Sequence, residues 1–224
     1  MAALRWPIES LAPREFSLHL AARTIAGPSS VSGVAQVVAS DAGIWRLTFG
    51  GIPVVDRQRV ILWRSLSEWA EGRMNPFLVP ITHFYQPYAP EWESLYEPVP
   101  HSDDSPFGDG SEYQGGVIDV TLASNIPLRG TTANITINVA HEIQPGQHFS
   151  IGERLYRIRT VEYTSENTAT ITFRPPAREA ATIGTRLEFD NPVVRVRLAS
   201  DNEMELSLDY GRWSFPSVNF IEDV

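Results

Sequence analysis

The chain has 224 residues, no cysteine and a formal charge of −9. This length suffices for one large β-domain or two small ones with a buried core, and the lack of cysteine excludes disulfides, thiolate metal sites and a cysteine nucleophile. The acidic balance argues against gripping nucleic acid by neutralising phosphates, so no specific nucleic-acid binding is expected.

Residues Met1–Ser10 hold no apolar run long enough for the core of a signal peptide. No later stretch approaches the ~20 apolar residues of a membrane span. The expectation is synthesis in the cytoplasm without membrane insertion. Phe16, Leu18 and Leu20 then alternate with Ser17 and His19, the pattern of an edge strand or extended arm that a neighbour orders. The run Gly33–Ala39, the Ser40-Asp41-Ala42-Gly43 stretch and the run Ile44–Phe49 predict a β-hairpin turning at residues 40–43.

Asp56 to Gly72 predicts the one helix. Asp56 is the N-cap, Leu62, Leu66 and Trp69 recur at spacings of three and four, and Gly72 and Pro76 mark the stop. Ile61 and Trp63 widen the apolar face, which implies packing between a sheet and something else. Phe77–Ile81 predicts a short strand.

Between His83 and Gly116 the composition changes, with five prolines, seven aromatic residues, seven acids and no Arg. A loop of this length is functional or disordered. Glu91, Glu93 and Glu97 stand among Tyr88, Trp92 and Tyr96, which raises a glycosidase or sugar-binding site. A proline-rich loop is a poor scaffold for a rigid carboxylate pair, so the expectation is a receptor- or partner-binding loop carried by Tyr88, Trp92 and Tyr96. Asp103, Asp104, Asp109 and Glu112 offer oxygen ligands for calcium, but their spacing does not match an EF-hand loop, and no metal or cofactor is expected.

From Gly116 onward strands follow one another closely: Val117–Leu122, Ala133–Val139, Gln147–Ile151, Leu155–Val161, Thr168–Phe173 and Arg186–Phe189. Val193–Leu198, Met204–Leu208 and Val218–Ile221 supply closing strands. Such spacing indicates a small barrel or sandwich. The five histidines are dispersed, without a zinc-binding pair. His141-Glu142 and Ser150 lack a nucleophile elbow, and the chain is not expected to be an enzyme. All eighteen basic residues are Arg, which reflects either coding bias or a use of bidentate Arg–carboxylate pairs between subunits. Arg157 and Arg159 share a face by strand alternation. With Trp45, Trp63 and Trp69 they are the candidate subunit or partner contacts.

One passage carries a resemblance. Phe149-Ser150-Ile151-Gly152, Tyr156-Arg157-Ile158, the alternating Thr168–Phe173 run, Pro175-Pro176-Ala177-Arg178, Gly184-Thr185 and Arg197–Asp201 follow in an order that resembles a module of tail and tail-tip proteins of long-tailed bacteriophages. Ala177 stands where that module usually has Leu. Gly27–Gly33, Gln36–Ser40 and Gly43–Arg46 also resemble openings of such proteins, so the resemblance covers roughly residues 27–80 and 115–222. It implies a distal-tail or baseplate-like structural subunit in the virion. Such subunits form a homo-oligomeric, commonly hexameric, ring joining the tail tube to hub and host-attachment proteins.

The expected fold is mainly β: a sandwich or barrel with one packed α-helix, plus a second small β-barrel inserted or appended. Residues 1–82 with 186–224 would form the ring-forming domain with helix 56–72, residues 83–114 the acidic aromatic loop, and residues 115–185 the small barrel. The alternative function is a carbohydrate-binding β-sandwich recognising a host surface glycan.

Overall fold

The computed structural model describes residues 2–29, 35–81, 98–99, 113–114 and 118–224. In chain order the elements are β1 (Leu4–Arg5), β2 (Glu15–Ser29), β3 (Ala35–Gly50), α1 (Arg57–Ala70), β4 (Phe77–Pro80), β5 (Pro98–Val99), β6 (Tyr113–Gln114), β7 (Asp119–Leu122), β8 (Thr132–Val139), β9 (His148–Ile151), β10 (Arg154–Ser165), β11 (Thr168–Arg174), β12 (Val193–Leu198) and β13 (Val218–Glu222). Among the described residues the chain is mainly β with one helix, as its alternating apolar runs require. It divides into an outer unit, Met1–Pro80 with Val193–Val224, and an inserted unit, Ile81–Pro192.

The outer unit is built on a six-stranded sheet in the order β1-β4-β12-β13-β3-β2. Strand alternation sends Trp45, Leu47, Phe49, Phe77, Val79, Val194, Val196, Val218 and Phe220 to one buried face. Helix α1 covers that face with Trp63, Leu66 and Ala70. Asp56 caps the helix, its carboxylate accepting from the Arg59 N–H at 2.8 Å. At the other end Glu71 and Gly72 take left-handed φ values of 45° and 67°, which release the chain from the helix. Trp6 sits edge-on to the rings of Phe49, Trp63, Phe77 and Phe220 at 5.3–6.3 Å between centroids. The N-terminal segment is therefore part of this core.

The buried helical face is rotated from the expected one. Trp63 and Ala70 face the core, while Trp69 and Ile61 are exposed. The sequence offers apolar residues over more than half the wheel, and Trp63 prevails because its indole both fills the core and donates to the Met204 carbonyl at 2.9 Å. That anchor also explains why Met204–Leu208, expected as a strand, is a turn and irregular chain. The expected hairpin at residues 40–43 is likewise absent. β3 runs without interruption through Asp41-Ala42-Gly43 and pairs with β2 along its length. The turn-like residues are absorbed as a bulge, because Ala21 pairs with Ile44 and Arg23 with Ser40, so three residues on β3 face one on β2. A Cβ at Gly43 would stand 3.0 Å from Leu20 Cγ, so any larger residue there requires the leucine side chain to move aside.

The inserted unit is a curled five-stranded antiparallel sheet in the order β7-β8-β11-β10-β9. Its two edge strands are joined by residues 184–188. Leu187 N donates to Val120 O of β7 at 2.8 Å, while Ser150 of β9 and Glu188 exchange two backbone bonds of 2.9 Å. β9 and β10 are linked by the expected two-residue turn, with Gly152 at φ 58°, the position a type II′ turn reserves for glycine. The core holds Phe149, Tyr156, Phe173 and Phe189 in mutual ring contact at 5.1–5.7 Å. The Tyr156 hydroxyl accepts from the Arg178 N–H at 3.0 Å. The boundary expected after residue 185 falls instead after Pro192, because Leu187 and Phe189 are buried in this core. The two ends of the unit meet, Ile81 N donating to Pro192 O at 3.0 Å.

Candidate functional site

The β2–β3 ribbon leaves the outer sheet. On its inner side β3 pairs with β13 only from Arg46 to Phe49. The next residue, Trp45, donates its N–H to the Glu222 carboxylate at 3.0 Å, and Glu222 is itself buried. Among the described residues, beyond that point β3 has a strand partner in β2 alone, back to Ala35. At ~3.3 Å per residue this two-stranded extension projects about 30 Å. β2 ends the sheet, so its outer backbone side has no strand neighbour among the described residues. A two-stranded ribbon is marginally stable alone, and unpaired edges are templates for another chain.

A second exposed feature follows β12. The turn Asp209–Arg212 is closed by Arg212 N donating to Asp209 O at 3.0 Å. Its central residues Tyr210 and Gly211 have φ 50° and 68°, the type I′ pattern, whose first central position favours Asn, Asp or Gly. A tyrosine there is held in a sparsely populated backbone region. Tyr210 is 90% exposed, and its ring lies 6.0 Å from that of Trp213. Phe215, also exposed, carries the Arg14 guanidinium 4.3 Å over its ring.

A pocket of ≈ 360 Å³ opens on β2, β3 and β13, lined in part by His19, Arg46, Thr48, Glu203 and Asn219. Its polar floor is internally bonded. Thr48 Oγ1 donates to Asn219 Oδ1 at 2.8 Å, and the Asn219 backbone and side-chain N–H groups donate to Glu203 Oε2 at 2.9 Å. Ser200 Oγ donates to Glu203 Oε1 at 3.1 Å. Arg46 and His19, a directly paired position across β3 and β2, make no such bond among the described residues.

The structure separates the residues expected to act together. Trp45 and Trp63 are fully enclosed in the outer core, so neither is an interface residue; their size and β-sheet or helical register draw them inward. Trp69 is partly exposed, at 37%. Arg157 is half-buried and donates to His148 Nε2 at 2.9 Å. Burial, and then the Arg157 charge, push the His148 pKa down to about 4. The alternation expected to place Arg159 beside Arg157 is broken by a bulge, since Ile158 pairs with Phe173 and Thr160 with Thr172. Arg159 is exposed. Tyr88, Trp92 and Tyr96, like Asp103, Asp104, Asp109 and Glu112, lie outside the described residues. Ser150 is buried within β9, which denies it the exposed position a nucleophile needs. Among the described residues no group of three or more acidic or histidine side chains is placed to hold a metal ion.

Sequence reasoning missed the Tyr210 turn and the pocket. The signals were present: Asp209-Tyr210-Gly211 ends in the glycine a tight turn uses, and Trp213 and Phe215 alternate after it. No protein-family model matches the chain, and no curated protein matches it in sequence.

Proposed function

We propose that this chain is a non-catalytic structural subunit of the tail tip of a long-tailed bacteriophage, in which it closes into a ring, six-fold in keeping with the resemblance, between the tail tube and the hub. The observation that carries the reading is the β2–β3 ribbon, ~30 Å of two-stranded sheet whose outer strand β2 has no further strand neighbour among the described residues. Assembly supplies the missing neighbour. The resemblance of the Phe149–Arg178 passage supports the phage setting, and its residues form the strand, tight turn and returning strand of the inserted unit.

The mechanism is geometric. Each subunit contributes an edge that another chain completes, and the inserted unit, whose sheet is joined edge to edge, is a self-sufficient module. Negative-stain microscopy of the purified full chain should show rings, and antibody labelling should mark the tip of the tail. A chain that stays monomeric at all concentrations and is absent from virions would sink the reading. Glycan recognition by Tyr88, Trp92 and Tyr96 has its own test: glycan-array binding lost on Trp92→Ala.

A further inference from the structure

We infer that the Tyr210 turn of one copy inserts into the His19–Arg46 pocket of the next, as a knob in a socket. This deepens the ring reading and rests on it.

Three observations about the knob point the same way. Tyr210 occupies a φ that glycine or asparagine would hold with less strain, so stability of the fold does not explain the residue. The residue is 90% exposed at the apex of a tight turn, a convex aromatic tip that a concave surface would complement. Trp213 stands beside it, and Arg212 and Arg14 flank the aromatic set. Tyr, Trp and Arg are the residues that carry most binding energy at protein interfaces.

The pocket offers the complement. Its ≈ 360 Å³ is at the small end of the ~300–1,000 Å³ range of ligand clefts, room enough for one aromatic side chain. The side chains of Arg46 and His19 have no hydrogen-bond partner among the described residues, and an Arg guanidinium over an aromatic ring is favourable. The chain already makes this contact once, Arg14 over Phe215 at 4.3 Å. Glu203 accepts three hydrogen bonds of the roughly four a carboxylate can take, which leaves room for the tyrosine hydroxyl to donate. None of residues 209–215 lines the pocket, so a copy does not fill its own. Knob and socket on different parts of one surface make a head-to-tail contact, the type that generates closed rings when its rotation closes.

The test uses the full chain and sedimentation velocity across a concentration series. Tyr210→Gly removes the knob and relieves the backbone, while Ala199→Leu fills the socket from its exposed rim. Each variant should weaken self-association about tenfold or more, and Tyr210→Gly should melt no lower than the unmodified chain. At a concentration where each variant alone is monomeric, mixing them should produce a one-to-one heterodimer, because one keeps the socket and the other the knob. Assembly by Tyr210→Gly equal to that of the unmodified chain, or no heterodimer on mixing, would overturn the contact and leave the ring standing. A monomeric unmodified chain absent from virions would overturn both.

Discussion

In the inserted unit, residues 184–188 bond to β7 on one side and to β9 on the other, whereas in the outer unit β2 runs for 15 residues at the end of its sheet. Edge strands are where β-proteins recruit other chains. One unit therefore uses a short segment to satisfy its own edges, while in the other the outer side of β2 has no strand neighbour among the described residues. Under the proposed ring, this difference would place subunit pairing in the outer unit, with the inserted unit's sheet already joined to residues 184–188 along both edges.

The most damaging way to break that contrast is Leu187→Pro, which removes both a fully buried side chain and the N–H that donates to Val120. A loss of ~5 kcal/mol is expected from the combined cavity and lost bond, read by urea denaturation, together with light scattering from newly exposed edges. Trp6→Ala in the outer unit should cost slightly less, ~4 kcal/mol, because its four ring neighbours are left around a void. If neither change lowers the denaturation midpoint, the two cores are not what holds these units.

Acid should act on the inserted unit through His148. Its folded pKa of about 4 lies below the unfolded value of 6.5, so the fold favours the neutral ring. Stability from this group is complete above pH 6.5, falls as pH drops toward 4, and is lost below that. The amplitude is on the order of 3 kcal/mol, and His148→Gln should abolish that part of the pH profile. Glu222→Ala takes away the carboxylate to which Trp45 N–H donates and should cost ~1–2 kcal/mol. Its effect should concentrate where the ribbon departs from the sheet. Least costly of all, hydrogen exchange needs no mutation: amides of residues 35–40 should exchange faster than those of 46–49 in the isolated chain and become protected on assembly. Equal protection in both states would erase the contrast between open and closed edges.

Much of the fold was legible because strands in this chain obey a two-residue period with one buried face, as in Val193–Leu198 and Thr168–Phe173, and because Asp56 and Gly72 bracket a helix with standard capping chemistry. Two kinds of signal misled. Asp41-Ala42-Gly43 has the composition of a turn, but a bulge uses the same residues when the strand continues on both sides, and only the pairing partner decides. Trp63 and Trp69 are equal candidates on a helical wheel, and the choice was made by a carbonyl of Met204, far along the chain. The pocket was illegible for a related reason: His19, Arg46, Glu203 and Asn219 come together only through the register of β2, β3 and β13.

The insertion point bears on how the chain reaches this state. β4 and β12 are hydrogen-bonded neighbours, Val79 opposite Val194, yet the whole of residues 81–192 lies between them in sequence. Pairing them early would close a long unfolded loop against chain entropy, and contacts of such separation slow folding. Once the inserted unit has folded, Ile81 and Pro192 are already adjacent, and the effective loop shrinks to almost nothing. The chain is thus expected to fold from the middle outward, its later-made C-terminal strands docking onto N-terminal ones that have waited for them.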